Sequence, residues 1–547
     1  MIRRRFLLAA LLLTLFGVGW WAGRGLTAGR GDLYQNLDVF VEVVQRVEQA
    51  YVDPVDATKL MNGALRGLTH SLDPYSQYLD AKAYDDLQIS THGSFGGVGL
   101  VVSVRDGWPV VVSPIEGSPA WSLGIQTGDI IQAVDGKNTI GLTLEEVAAR
   151  LRGAAGTTVR VTIHRDGSDE DQEFTIERKI ITTKAVPYAF VLPGGVGYVR
   201  LADFSEDAGS EVHAAIERLR AQGATRLLLD LRSNPGGLLD QAVNVVQQLV
   251  KPQTLVVYTR GRMKGADQHY LASGTRPELG WPVVVLVDRG TASASEIVTG
   301  ALQDLDRGLI VGETTFGKGL VQSVFPLRGH GALKLTTARY YTPSGRCINS
   351  VASERLLDSL ETANGGDGED NGDDSLVALD TTTTTEVFHT TSGRRVFGGG
   401  GIRPDVAVAA DTLPPLTRVL EQRSLPFRFA NHWVTTHPAW RPGAPVDEEL
   451  WRAFRAAADT VKSPVGPGAW DTERPVIERA LRREIARRQG GDAAAARVAL
   501  EGDPMMTRAL QVLTRARAPR DVFAVADEPL QRPAQPSRPA GRVSEHR

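Results

Sequence analysis

Between about Gly197 and Asp304, short apolar runs alternate with amphipathic stretches: Gly197–Leu201, Ser210–Gln222, Arg226–Leu231, Leu239–Val250, Leu255–Thr259, Val283–Val287 and Ala294–Asp304. A strand without a polar side must be buried on both faces, and the stretches between carry the period of helices. This pattern dictates an α/β domain, a sheet covered by helices on both faces. The 547 residues are enough for several further domains around it.

The flanking segments read differently. Residues 32–87 show helical spacing, with Leu37, Phe40, Val41, Val44 and Val47 on one face. From Ser94 to Arg178 the pattern changes to short β-runs with one helical stretch at Leu144–Arg152, which predicts a compact unit of strands plus a helix. Residues 351–386 are acidic and Gly-rich and read as a disordered surface insertion. Beyond Thr412 the chain is Arg- and Ala-rich, with helical spacing at Val476–Gln489 and Thr507–Arg515. Amphipathic helices there pack either on their own domain or on a second copy in a homo-oligomer. The expected organisation is a multidomain α/β (α+β) chain: 1–30 signal or anchor, 31–93 helical, 94–180 strands plus helix, 181–411 core, 412–524 helical extension and 525–547 unstructured tail.

Several partner classes are excluded. A net charge of −3 leaves no basic footprint, so nucleic acid is not an expected partner. The single cysteine, Cys347, rules out an internal disulfide, and without a Cys/His cluster neither a structural metal nor another cofactor is expected. Arg3, Arg4 and Arg5 precede an apolar run over residues 6–23, the pattern of an export signal. A removed signal and a retained membrane anchor both fit it, and either places the body in the periplasm or cell envelope.

No HExxH or GxSxG motif is present. Gly312–Gly319 resembles a phosphate-binding loop but ends in Gly319, which has no hydroxyl for a metal, and it opens a strand at Leu320–Pro326 rather than a helix. Two strand ends carry more chemistry. Asp230–Gly237 closes an apolar strand with a Pro-Gly-Gly turn that exposes backbone N–H groups, and Asp288–Ile297 closes another with small residues that open a helix. A serine at that helix start needs a base, and a lysine in apolar surroundings, such as Lys318 between Phe316 and Leu320, can provide one. Taken singly, Ser293 and Ser295 read as helix caps, Lys318 as a surface charge and Glu296 as a stabiliser of the helix N-terminus.

Together the three segments, Leu-Arg-x-Asn-Pro-Gly-Gly, Thr-Ala-Ser-Ala-Ser-Glu-Ile and Gly-Glu-x-Thr-Phe-Gly-Lys-Gly-x-Val-Gln, resemble the carboxy-terminal processing proteases, the tail-specific peptidases of family S41. The resemblance implies a ClpP/crotonase-like core in which Ser293 is the nucleophile, Lys318 the general base and Gln322 the residue that orients the lysine. Ala294 N–H with that of Gly236 or Gly237 would form the oxyanion hole. Residues 117–136 and 151–153 look like a PDZ domain, a module that adds a peptide strand to its sheet edge. The loop Gly97-Val98-Gly99-Leu100 would hold the terminal carboxylate of a protein substrate with an exposed, non-polar C-terminus. The alternative is an inactive PDZ adaptor that binds tails without cutting them.

Overall fold

The computed structural model describes residues 34–350 and 386–528, apart from 169, 274–277, 329–330, 438–439, 441–443, 460, 462 and 464. The export segment, residues 351–385 of the acidic insertion and residues 529–547 of the tail expected at 525–547 lie outside the described residues; residues 525–527, expected in that tail, end the helix Asp521–Asp527. The chain divides into two compact units, one up to Tyr84 with Gln322–Thr336, the other Asp85–Val321 with Thr337–Arg547. Residues 322–336, part of the 181–411 core in the sequence reading, group with the first unit by compactness through the pairing of β1 with residues 332–334.

In the first unit, α1 (34–50) precedes α2 (Ala57–His70), whose first turn is capped by the Asp56 carboxylate on Thr58 N–H at 2.8 Å. Strand β1 (Gln77–Leu79) then pairs antiparallel with residues 332–334, and Asp73 accepts a hydrogen bond from Thr336 Oγ1 at 3.1 Å.

After α3 (Ala81–His92), the second unit begins with β2 (Ser94–Gly97), β3 (Leu100–Arg105), β4 (Trp108–Pro114), α4 (Pro119–Ser122), β5 (Ile130–Val134) and β6 (Lys137–Asn138). These are followed by α5 (Leu144–Leu151), β7 (Thr158–His164), β8 (Gln172–Glu177) and β9 (Lys179–Thr182). The sheet order β3-β4-β5-β7-β8 makes β3 an outer strand, and β2 pairs separately with β9. Its core is Val98, Val111, Ile131, Val147, Val161, Ile163 and Ile176.

The α/β core holds β10 (Ala189–Leu192), β11 (Val196–Arg200), α6 (Ala208–Ala221), β12 (Arg226–Asp230), α7 (Leu239–Val246), β13 (Leu255–Gly261), β14 (Gln268–Leu271) and β15 (Val283–Val287). It continues through α8 (Ala294–Asp304), β16 (Leu309–Gly312), β17 (Leu320–Pro326), β18 (Ala332–Tyr341), β19 (Val387–His389), β20 (Arg395–Phe397) and β21 (Val406–Ala407). The central sheet runs β10-β11-β12-β15-β16-β21, with β11 to β21 parallel. One expectation fails here: the run at 255–259 is not a strand of this sheet. It belongs to β13, which pairs antiparallel with β14 and with β18, its polar end exposed at Arg260 and Gly261.

Successive side chains of a strand point to opposite faces. Leu227, Leu229, Val283, Val285 and Val287 therefore face a core that includes Val212, Ile216, Ala242, Val246, Ile297 and Val298 of α6, α7 and α8. Leu228, Val284, Leu286 and Val311 face the other way, onto Met505, Met506, Ala509, Val512 and Leu513. Those residues belong to the C-terminal extension, formed by α9 (Pro415–Gln422), α10 (Leu425–Thr436), α11 (Glu448–Ala457), α12 (Ala469–Thr472), α13 (Arg474–Ala499), α14 (Pro504–Arg515) and α15 (Asp521–Asp527). The second cover of the sheet is thus supplied by α14, from the far end of the chain. The rest of the extension has its own aromatic core, Phe429, Trp433, Trp451, Phe454 and Trp470. No helix among the described residues is long and apolar enough to cross a membrane.

Candidate active site

Strands β12 and β15 are parallel neighbours, with Asp230 opposite Leu286, so their C-terminal ends emerge side by side. In an open parallel sheet this edge is where ligands bind, and here it brings the Asp230–Gly237 turn against the start of α8. Asn234 joins the two. Its carbonyl accepts Ala292 N–H and Ser295 Oγ, both at 3.0 Å, and its side-chain Oδ1 accepts Gly236 N–H at 2.9 Å. Ser295 is therefore a tie between the two loops rather than a cap.

Ser293 sits at the turn into α8 with φ 55° and ψ −115°, a backbone region that non-glycine residues rarely adopt. Such conformations cost roughly 1–3 kcal/mol and persist only where the surroundings impose them. Glu296 imposes this one. It is fully buried, and its Oε2 accepts the N–H groups of both Ser293, at 2.9 Å, and Lys318, at 2.8 Å. Its Oε1 accepts Thr315 Oγ1 at 2.5 Å and Gly317 N–H at 2.8 Å. Burial pushes the Glu296 carboxyl above its ordinary value, against the downward pull of these donors.

A second group spans the same pair. The Tyr340 hydroxyl lies 3.1 Å from the carbonyl oxygen of Ser293 and also meets that of Lys318, while Tyr340 N–H donates to Gly319 O at 3.0 Å. A carboxylate thus holds the two amides and a phenol the two carbonyls of Ser293 and Lys318. Sequence reasoning missed Tyr340 altogether and gave Glu296 only a role at the helix terminus. The spacing Ser-x-x-Glu at a helix start was the available signal for Glu296.

Gly236 has φ +101°, and a Cβ there would lie 2.7 Å from Ser293 Cβ, so only glycine lets the turn approach this closely. Its N–H is committed to Asn234. Among the described residues, the N–H groups of Gly237 and Ala294 make no hydrogen bond. Gln322 lies in the first unit, where its Nε2 donates to Tyr75 O at 2.9 Å.

At the other candidate position, Gly97 ends β2 and Leu100 opens β3. Val98 is buried, and its carbonyl accepts Ala120 N–H at 3.0 Å. Gly99 O accepts Ile115 N–H at 2.9 Å and Ser118 Oγ at 3.0 Å. The N–H groups of Val98 and Gly99 make no hydrogen bond among the described residues, and the loop leads into the unpaired edge of β3.

Residues 195–354 match the model of peptidase family S41, residues 110–165 that of a PDZ domain and residues 27–83 that of the activating protease CtpB N-terminal domain. The carboxy-terminal-processing protease of Bartonella bacilliformis is 43% identical over 329 residues, which cover 59% of this chain and 75% of the relative. The carboxyl-terminal-processing protease of Synechocystis sp. is 41% identical over 296 residues, covering 53% and 68%. Among solved structures, a photosystem II D1 C-terminal processing protease is 31% identical, with 69% of this chain and 94% of that one covered and a TM-score of 0.34.

Proposed function

This chain belongs to peptidase family S41 as a carboxy-terminal processing protease with a PDZ domain, and on that premise we propose that it is a serine endopeptidase working through a Ser293/Lys318 dyad. The observation that carries this reading is the single Glu296 oxygen shared by the amides of Ser293 and Lys318. A surface serine and a surface lysine have no reason to share a buried carboxylate.

In the proposed reaction, neutral Lys318 takes the Ser293 hydroxyl proton as Oγ attacks the scissile carbonyl carbon. The oxyanion is received by the N–H groups of Gly237 and Ala294, since that of Gly236 is occupied by Asn234. Protonated Lys318 then delivers its proton to the leaving amine, and water hydrolyses the acyl-enzyme. Gln322 is assigned to orienting the lysine. The open amides of Val98 and Gly99, at the mouth of the β3 edge, suit a terminal carboxylate, with Gly97 and Leu100 framing the loop and the preceding substrate residues added as a strand. Substrates are then protein chains with exposed non-polar C-termini. The Arg3–Arg5 and 6–23 pattern favours an exported enzyme acting in the cell envelope.

The test is degradation of an unstructured reporter bearing an apolar C-terminal tail by the wild type, Ser293→Ala and Lys318→Ala, repeated with a charged tail end. Loss of cleavage in both variants, with wild-type cleavage weakened by the charged tail, is expected. Tail binding without cleavage by any of the three would make the protein an adaptor.

A further inference from the structure

The turn proposed to carry the oxyanion hole is anchored from outside the protease core. Asp230, at the end of β12, is 2% exposed and receives Tyr198 Oη at 2.8 Å and the Arg232 guanidinium at 2.7 and 3.0 Å. Arg200 donates to the Arg232 carbonyl at 2.5 Å. The remaining guanidinium nitrogen of Arg232 crosses a cleft of about 360 Å³ to Asp503 Oδ2, at 2.5 Å. The two side chains are only 19% and 17% exposed, so solvent screens this pair far less than a surface ion pair.

Asp503 is the residue that starts α14. Its other oxygen, Oδ1, caps the helix by accepting Met505 N–H at 2.8 Å and Met506 N–H at 3.1 Å. One carboxylate therefore does two things, each through its own oxygen: it starts the helix that covers the second face of the sheet, and it fixes the arginine that opens the catalytic turn. From Arg232 the connection to the chemistry is short. Asn234, two residues on, sets Gly236 through Oδ1 and α8 through its carbonyl.

We propose that Asp503 of the C-terminal extension is a positioning residue for the oxyanion turn, acting through Arg232. The inference rests on the assignment of Ser293 and of the Gly237 and Ala294 amides. It makes the extension a part of the active site's support rather than an appended domain. Truncating the chain before α14 is no test, because it would uncover Leu228, Val284, Leu286 and Val311.

Capping and charge are separable by substitution, since Asn and Ser cap helices about as well as Asp and Ala does not. Asp503→Asn and Asp503→Ser keep the cap and remove the charge that Arg232 needs. The expected result for both is a melting temperature between those of the wild type and Asp503→Ala, kcat per folded molecule on an unstructured reporter lowered about tenfold, KM within twofold, and a matching fall in the rate of Ser293 phosphonylation by a fluorophosphonate. Asp503→Ala should lose stability as well, and Asp503→Glu should recover kcat in part. Wild-type kcat in both cap-retaining variants would overturn the inference, as would a kcat that merely follows melting temperature across the four variants. Failure of the wild type itself to react with the fluorophosphonate would instead overturn the Ser293 assignment beneath it.

Discussion

Glu296→Gln is the substitution that tests the clamp most directly, because it alters chemistry while preserving shape. The wild-type carboxylate accepts four donors, two at each oxygen. The amide replaces one of those oxygens with an NH₂ group, which can only donate. If the NH₂ takes the Oε2 position, it faces the amides of Ser293 and Lys318; at the Oε1 position it faces Thr315 and Gly317. At Oε2 two hydrogen bonds are lost, because both partners are amides; at Oε1 the Thr315 hydroxyl can turn to accept from the NH₂, and only the bond from Gly317 is necessarily lost. At about 1.5–3 kcal/mol each, the loss of stability is about 1.5–6 kcal/mol. The catalytic effect is separate from this. Ser293 holds an unfavourable φ of 55° only while it is restrained, and a misplacement of about 1 Å can lower a rate about 100-fold. Urea melts give the stability and the folded fraction. kcat on the apolar-tailed reporter, normalised to that fraction, gives the second effect. A Glu296→Gln enzyme with wild-type kcat per folded molecule would refute the claim that this carboxylate positions the dyad.

Three further outcomes follow from the same geometry. Gly236→Ala places a Cβ 2.7 Å from Ser293 Cβ and 2.8 Å from Ala292 O, so the turn must retreat from α8; loss of fluorophosphonate labelling is expected, and retained labelling would contradict it. Gly99→Ala puts a Cβ 2.2 Å from Ser118 Cβ, deforming the proposed carboxylate loop; KM for the apolar-tailed reporter should rise several-fold while cleavage of a short untailed peptide is unchanged. For Asp230, burial alone would raise the pKa, but the Arg232 and Arg200 guanidinium groups and the Tyr198 hydroxyl bring it below the ordinary carboxylate value. A depressed carboxylate contributes stability that is present above the unfolded pKa and lost as pH falls through the folded one. Asp230→Asn should therefore cost about 3–5 kcal/mol at neutral pH, and its deficit relative to the wild type should shrink below about pH 4 in acid titrations followed by circular dichroism.

What the sequence made legible was local. The β12 and β15 runs are apolar throughout, bounded by turn residues, and both are strands of the central sheet ending at the expected place. The motifs that single out Ser293 and Lys318 belong to segments whose amides the fold gathers on one carboxylate. Long-range pairing was not legible. The run at 255–259 looks like a core strand from its apolar residues, yet it pairs with the following β14 and, through Tyr258 and Thr259, with β18, about 80 residues later. Nothing in residues 322–336 announces that they join a unit formed by the first 84 residues. Tyr340 escaped notice for a related reason: its role depends on a hydroxyl reaching two carbonyls from a strand that carries no motif of its own.

The extension shows how differently two contacts of one element can be held. Against the core, α14 buries Met505, Met506, Val512 and Leu513, each contributing roughly 1.5–3 kcal/mol relative to an exposed side chain. Against the PDZ domain the extension uses α10 and α13 and polar contacts: Ser113 Oγ donates to Asp492 at 3.0 Å and Arg488 to Gln126 Oε1 at 2.5 Å, both part-buried, and other pairs are exposed. Arg428 meets Asp106 at 2.7 Å with both side chains about half exposed or more, and His432 meets Asp166 at 3.0 Å in the same way; such pairs contribute little. The Arg105 guanidinium lies 3.8 Å from the centre of the Phe427 ring, but its Nε and one terminal nitrogen have no hydrogen-bond partner among the described residues, and burial lowers its pKa. Desolvation of this cation, only partly compensated by the nearby Glu484 and Glu421 carboxylates, offsets part of what its contact with the ring contributes. The extension is therefore held by apolar burial on the face that carries Asp503 and mainly by polar contacts on the face that meets the PDZ domain.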